Sequence, residues 1–275
     1  MLIYPHINPV AIALGPIKVH WYGLMYLFGF LFFVYAGRWR VTHYKYTTFN
    51  NKMIDDFLFY GVLGVILGGR LGYCIFYQAS YYLSQPLDVF KIWDGGMSFH
   101  GGLIGVVVVM MIFARKNKLK FFQVSDFVAP LVPFGLLCGR IGNFINGELW
   151  GRVTDSTLPW MMVFPESGTM QPRHPSQIYE AGLEGVALLG IMWVYARQPR
   201  KLGQVSGVFA ISYGVFRFIL ESFRQPDNLP FANEVFNQTG ISLGQFYSLP
   251  LIIAGLVMLY AARNGTIYDR QVEIK

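Results

Sequence analysis

Three arginines stand inside stretches of sequence apolar enough to cross a membrane: Arg70, Arg140 and Arg217. A charge in the bilayer core costs about 2.5–3.5 kcal/mol on insertion scales, so each needs a partner, water or a task. Two share a local frame, Gly69-Arg70-Leu71-Gly72 and Gly139-Arg140-Ile141-Gly142. Each arginine lies about 14–15 residues into its stretch, which at about 1.5 Å per residue is roughly 22 Å from the cytoplasmic end. On a hydrocarbon core about 30 Å thick, that depth is the outer leaflet. Arginine offers phosphate a planar fork of donors. The pattern reads as a membrane chain that holds a phosphate-bearing lipid near its outer face.

The apolar stretches are numerous. Of the 275 residues 54% are hydrophobic and 13% charged, where a soluble domain carries about 25% charged residues. Seven segments read as spans, at 19–37, 55–79, 96–114, 124–145, 177–196, 202–222 and 241–262. The third and seventh are free of charge from Asp94 to Arg115 and from Glu234 to Arg263. The expected fold is an all-α integral membrane protein with seven transmembrane helices, one polytopic domain over residues 1–275.

Loop charge orients it. Arg38, Arg40, Lys45 and Lys52 follow span 1. Arg115, Lys116, Lys118 and Lys120 follow span 3, and Arg197, Arg200 and Lys201 follow span 5. The tail adds Arg263, Arg270 and Lys275. The opposite side has Lys18, Lys91, Arg152, Arg173 and Arg224. This excess of basic residues on one side predicts a periplasmic N-terminus and a cytoplasmic C-terminus. The net charge of +7 is mostly that cytoplasmic collar, which suits membrane lipids with anionic headgroups and not nucleic acid. Met1 to Lys18 lacks a basic n-region, so no cleaved signal peptide is expected. Cys74 and Cys138 both fall within spans and read as inert packing, with no disulfide framework and no metal site.

Three connections are longer than tight turns. Residues 80–95 carry Tyr81, Tyr82, Pro86 and Trp93, as an interfacial segment would. Residues 146–176 are polar, with a candidate strand at Trp160 to Phe164, and are expected to form a small periplasmic head. Residues 223–240 carry Pro226 and Pro230. Polar residues gather in the outer halves of the spans: His20 and Tyr22, Ser98 and His100, Gln177, Tyr179, Glu180 and Glu184. The inner halves, such as Val106 to Ile112 and Leu188 to Val194, are apolar. That is the pattern of a site open to one leaflet and not of a pore.

Tyr213, Arg217 and Glu221 are four residues apart on one helical face. The pair Arg217–Glu221 is either a structural ion pair or a phosphate site whose arginine is oriented by a carboxylate. Arg70 has Asp94 and Glu180 as possible partners and is either structural or functional. His100, among Gly95, Gly96, Gly101 and Gly102, is a candidate base or a hydrogen-bonded residue that orients a neighbour. His174 stands in Arg173-His174-Pro175-Ser176-Gln177, ahead of span 5. The richest stretch is Gly139 to Gly151, G-R-I-G-N-F-I-N-G-E-L-W-G. Arg140 and Asn143 share a helix face there, and Asn146, Gly147 and Glu148 mark the helix exit. One cation, two amides and one carboxylate are thus offered at the depth of a lipid headgroup.

This stretch resembles the signature of the bacterial prolipoprotein diacylglyceryl transferases, G-R-x-G-N-F-x-N-x-E-x-x-G, at every fixed position. The resemblance extends to His20 through Tyr26, Asp94 through Leu103, Arg173 through Glu180 and Arg217 through Asp227. It implies an enzyme of the bacterial cytoplasmic (inner) membrane. That enzyme moves the diacylglyceryl group of phosphatidylglycerol to the lipobox cysteine of a prolipoprotein signal peptide, forming a thioether and releasing glycerol 1-phosphate. No metal or organic cofactor is implied. In that reaction Arg140 and Arg217 are expected to meet the phosphate, and Asn143 and Glu148 to hold glycerol hydroxyls or orient Arg140. Tyr22 would donate to the phosphate, Tyr213 and Glu221 would line the lipid site, and His100 would take the thiol proton. A headgroup transferase would need an enzyme nucleophile or metal carboxylates in the outer loops, and a lipid or anion transporter would need polar groups in both membrane halves. Neither pattern is present in the sequence.

Overall fold

A computed structural model describes residues 2–155, 158–225, 236 and 239–263. Pro226 and Pro230 of the third connection, and Arg270 and Lys275 of the tail, lie outside the described residues. The helices are α1 (Trp21–His43), α2 (Asn51–Phe76), α3 (Ala79–Ser84), α4 (Phe99–Lys116), α5 (Phe121–Val128), α6 (Val132–Ile145), α7 (Ser176–Glu180), α8 (Leu188–Tyr195), α9 (Gln204–Leu220) and α10 (Leu243–Ala262). Each apolar segment is helical. A 3-10 turn at Ala129–Leu131 joins α5 to α6, because Pro130 and Pro133 each remove a helix donor. A π-helical turn at Ala181–Ala187 joins α7 to α8.

Five of these rods are long and apolar enough to cross a membrane: Asn51–Phe76, Phe99–Lys116, Phe121–Ile145, Ser176–Tyr195 and Leu243–Ala262. α9 is apolar but shorter, at 17 residues, and α1 has 23. The chain is a multi-pass membrane protein built mainly of helices. By contact it divides into two compact units, residues 37–127 and residues 1–36 with 128–275.

In the unit of residues 37–127, α2 and α4 approach along glycine faces. A Cβ on Gly68 would lie 2.8 Å from the Gly105 Cα, and one on Gly72 would lie 2.7 Å from the Gly101 Cα. Helices in lipid have no hydrophobic drive to associate, so close backbone approach does that work. At one end Phe49, Phe57, Phe113 and Phe127 form an aromatic core, with Phe49 and Phe127 stacked at 4.0 Å. The connection at 80–95 is α3 followed by two short 3-10 turns. It exposes Leu83, Leu87, Phe90 and Trp93.

The other unit departs from a purely helical fold. Strands β2 (Val10–Leu14) and β3 (Ile17–His20) form an antiparallel hairpin before α1. His20 therefore ends a strand and does not begin the first helix, which starts at Trp21 and runs on to His43. The Gly15-Pro16 turn and the β-branched Ile17 and Val19 favour the hairpin. A small sheet joins the N-terminus to the connection expected at 146–176. Strand β1 (Leu2–Ile3) pairs parallel with β4 (Met162–Val163), which pairs antiparallel with β5 (Pro172–Arg173). The expected strand at Trp160 to Phe164 is thus present in its centre. Tyr4 anchors the N-terminus. It packs with Met162 and Phe164 and directs its single hydroxyl proton at the Phe144 and Ile145 carbonyls, 2.8 and 2.7 Å away, at the end of α6. Behind the head, α9 and α10 meet where a Cβ on Gly255 would lie 2.7 Å from the Gly207 carbonyl oxygen.

Gly68→Ala is expected to lower stability by about 1–3 kcal/mol through overpacking of α2 on α4. Gly190→Ala, at a position with open space beyond it, is expected to be neutral. Thermal unfolding of the two variants in detergent checks both.

Candidate active site

The end of α6 is built to turn a carboxylate back onto its own helix. After Ile145 the chain carries two left-handed residues, Gly147 (φ 66°) and Leu149 (φ 56°), on either side of Glu148. Glu148 Oε1 accepts from Asn143 Nδ2 at 2.9 Å and from Asn146 Nδ2 at 3.3 Å. A leucine in this conformation costs about 1–3 kcal/mol and persists only when its surroundings over-determine it. They do so here. Gln177 Nε2 donates to the Glu148 carbonyl at 2.6 Å, and Ser176 Oγ donates to the Leu149 carbonyl at 3.0 Å. Both donors open α7 and are buried. Gly142 leaves room for Tyr22, whose ring lies 2.9 Å from where a Cβ would stand. The Tyr22 hydroxyl lies 3.5 Å from that of Tyr26.

Beyond α7 the helix widens into its π-helical turn, a feature found most often at functional positions. Glu180 precedes that turn and Glu184 lies within it, both fully buried. Arg140 Nη1 meets Glu180 Oε2 at 2.8 Å, and its Nε and Nη2 meet Glu184 Oε2 at 3.3 and 3.1 Å. Arg217 Nη1 lies 3.5 Å from Glu180 Oε1 and 3.7 Å from Glu184 Oε1, and its Nη2 meets Glu221 Oε2 at 3.0 Å. The two arginines are thus brought side by side on shared carboxylates. Tyr213, one turn before Arg217, lies in the electrostatic field of Glu184, Arg217 and Arg140. Glu221 is buried where Gly244 makes room for it, since a Cβ there would lie 2.6 Å from its carboxylate oxygens. Gly151 ends the motif in a close backbone crossing. Its N–H donates to the His174 carbonyl, and the Arg152 N–H donates to the Phe223 carbonyl, each at 2.9 Å.

Arg140, Arg217, Glu221 and Tyr213 therefore form one cluster, and Asn143 and Glu148 form a second on the same short helix end. Glu221 neutralises Arg217, as their spacing suggested. Sequence reasoning missed the partnership of Glu180 and Glu184 with Arg140. Their i,i+4 spacing in an apolar span was the available signal. It also missed Ser176 and Gln177 as supports of the Glu148 turn.

Arg70 is structural. Its guanidinium donates to four backbone carbonyls, of Asp88 (2.7 Å), Val89 (2.9 Å), Gly95 (2.5 Å) and Gly96 (3.4 Å), and stacks on Tyr82. It pins the 80–95 segment to α2. Glu180, offered by the sequence as its partner, serves Arg140 and Arg217. The Asp94 side chain lies outside the described residues. In that unit His100 is the second residue of α4, exposed, after Ser98 caps the helix by accepting from the Gly101 N–H at 3.2 Å. Ser98 donates its own N–H to the Gly69 carbonyl at 2.9 Å. His174 lies in the head, 3.4 Å from the Tyr179 hydroxyl, which accepts from Trp160 Nε1. Burial pushes His174 below the ordinary imidazole value, which favours its neutral form. Cys74 and Cys138 are buried and free.

The family model described as prolipoprotein diacylglyceryl transferase matches residues 9–261. Relatives named phosphatidylglycerol–prolipoprotein diacylglyceryl transferase align over nearly all of the chain. That of Bordetella parapertussis is 55% identical over 264 residues, covering 96% of this chain and 98% of its own length. That of Dechloromonas aromatica is 54% identical over 263 residues, covering 95% and 98%. That of Nitrosomonas europaea is 55% identical over 273 residues, covering 99% and 95%. With its Gly139 to Gly151 motif folded around a buried arginine–carboxylate cluster, this chain belongs to the prolipoprotein diacylglyceryl transferase family.

Proposed function

We propose that this chain transfers the diacylglyceryl group of phosphatidylglycerol to the thiol of the lipobox cysteine in a prolipoprotein signal peptide. The observation that carries the chemistry is the pairing of Arg140 and Arg217 on shared buried carboxylates. The thiol sulfur forms a bond to the terminal glycerol carbon of the diacylglyceryl group as the bond from that carbon to the phosphate oxygen breaks. The electron pair leaves with glycerol 1-phosphate, and the thiol proton passes to a base.

Negative charge grows on the departing phosphate, and fixed guanidiniums in a site shielded from water stabilise charge there most effectively. Arg140 and Arg217 fill that role. Tyr22 donates to the phosphate, and Asn143 with Glu148 receives the glycerol hydroxyls. Tyr213 and Glu221 complete the lipid site beside Arg217. His100 takes the thiol proton, a role suited to an exposed imidazole at the start of α4. The reacting cysteine belongs to the peptide, in keeping with two buried cysteines in the enzyme.

All seven apolar segments cross the bacterial inner membrane in this reading. The N-terminus and the head are periplasmic, the site opens to the outer leaflet, and the C-terminus is cytoplasmic. Thioether formation on a lipobox peptide supplied with phosphatidylglycerol tests the activity directly. A reporter active only in the periplasm is expected to be silent after Lys275 and active within the 146–176 loop. The opposite result overturns the orientation.

Arg140→Lys keeps the charge but loses the fork, and is expected to lower kcat by about 10²-fold or more. Near-normal transfer by a folded Arg140→Ala would remove Arg140 from the phosphate. His100→Asn is expected to slow transfer and to be partly rescued as rising pH supplies thiolate. A flat pH–rate profile with full activity removes His100 as the base.

A further inference from the structure

We propose that Glu184 is the positioning residue that sets the spacing and aim of the two phosphate-gripping arginines, an inference that rests on the function proposed above. Two guanidiniums brought together without an intervening anion repel one another, and each would swing to a geometry of its own. Glu184 stands between them. One carboxylate oxygen takes Nε and Nη2 of Arg140, and the other faces Nη1 of Arg217. Its side chain is wholly buried, and among the described residues its Oε1 has no hydrogen-bond partner in addition to that ionic contact. Among the described residues the hydrogen bonds and ion pairs of this carboxylate go to the two arginines.

The backbone beneath it is shaped for the same purpose. Glu184 lies in the π-helical turn. The next residue, Gly185, sits against α6 so closely that a Cβ would lie 2.7 Å from Leu137 Cβ and 2.9 Å from Leu137 Cα. Leu137 is three residues before Arg140 on that helix, so the approach of Gly185 delivers Glu184 to the Arg140 guanidinium. Glu180 repeats the bridge from one turn earlier, through Oε2 to Arg140 and Oε1 to Arg217. The two carboxylates clamp the cation pair along its length, while Glu221 holds the far nitrogen of Arg217. Glu184 touches no reacting atom in this scheme. It acts through the arginines by holding the fork ready before charge develops on the leaving phosphate.

The test uses the full chain in mixed micelles of varied phosphatidylglycerol fraction, with a saturating lipobox peptide. Steady-state kcat and KM for the lipid are measured for the wild type, Glu184→Gln, Glu184→Asp, Arg140→Lys and the Glu184→Gln/Arg140→Lys double variant. Glu184→Gln is expected to lower kcat by about tenfold or more while KM stays within about threefold. Its effect is expected to shrink in the Arg140→Lys background, because the two residues act as one unit. Glu184→Asp keeps the buried negative charge and so guards against simple misfolding. It is one methylene too short to bridge both guanidiniums and is expected to lose kcat as well.

A folded Glu184→Asp at the wild-type rate, with Arg140→Lys impaired, overturns the clamp and leaves the phosphate reading standing. An equal fold-loss from Glu184→Gln in both backgrounds, or a rise in KM alone, also overturns it. Wild-type rates for both Glu184→Gln and Arg140→Lys sink the phosphate reading itself.

Discussion

The helices that carry the candidate site depend on a buried ionic contact, the meeting of Arg140 and Arg217 with Glu180, Glu184 and Glu221. Burying one such ion costs several kcal/mol, recovered only where geometry and partners are good. The cluster therefore dictates where its carriers stand. α6 brings Arg140, α7 and the widened turn after it bring Glu180 and Glu184, and α9 brings Arg217 with Glu221 at its end. The small residues nearby are consequences of the same demand. Gly185 admits α6, Gly142 admits the Tyr22 ring, and Gly244 admits the Glu221 carboxylate. Each guanidinium has five N–H donors, and the carboxylates facing Arg140 engage three of its nitrogens once each. Donor capacity remains for an oxyanion, so charge neutralisation and ligand grip can coexist on the same side chain.

Much of this was legible in the sequence, and the reason is the solvent. A bilayer demands long uninterrupted helices with internally satisfied backbones, so six of the apolar segments match their helices within four residues, and the first ends six residues before its helix does. An arginine is conspicuous in such a segment, and the spacing of Arg217 and Glu221 already specified their pairing. The misses share a different cause. Strand β1 has two residues, and its partner Met162–Val163 lies far along the chain. Local propensity carries no information about so distant a partner. The sequence left Arg70 open between a structural and a functional role, since it shares Gly-Arg-x-Gly with Arg140. What separates them is the partner: backbone carbonyls of a neighbouring loop for one, buried carboxylates for the other.

The helix exit at Asn146 to Trp150 shows how a motif of small and polar residues becomes geometry. The left-handed Leu149 is a conformation leucine does not choose. It is held there by Gln177 and Ser176 from the helix that also supplies Glu180. The amide–carboxylate cluster and the arginine–carboxylate cluster are thus fastened to one another through α7. Displacing Gln177 would disturb both, although its contact with the Glu148 carbonyl involves no charge.

The chemistry explains why so much structure is spent on the leaving group. A free cysteine thiol ionises near pH 8.5, so a few per cent is thiolate at neutral pH. Complete deprotonation by a base can then raise the reactive fraction by only about 30-fold, roughly 2 kcal/mol. A single preorganised donor to developing charge is worth about 10²–10³ in rate. An attack that expels a phosphate from carbon therefore gains more from two fixed guanidiniums than from any base acting on the nucleophile. That ordering matches the molecule. The imidazole proposed as the base is an exposed side chain in the first turn of its helix. The arginines are mostly enclosed, with side chains 16% and 18% exposed, and are paired and braced by three buried carboxylates.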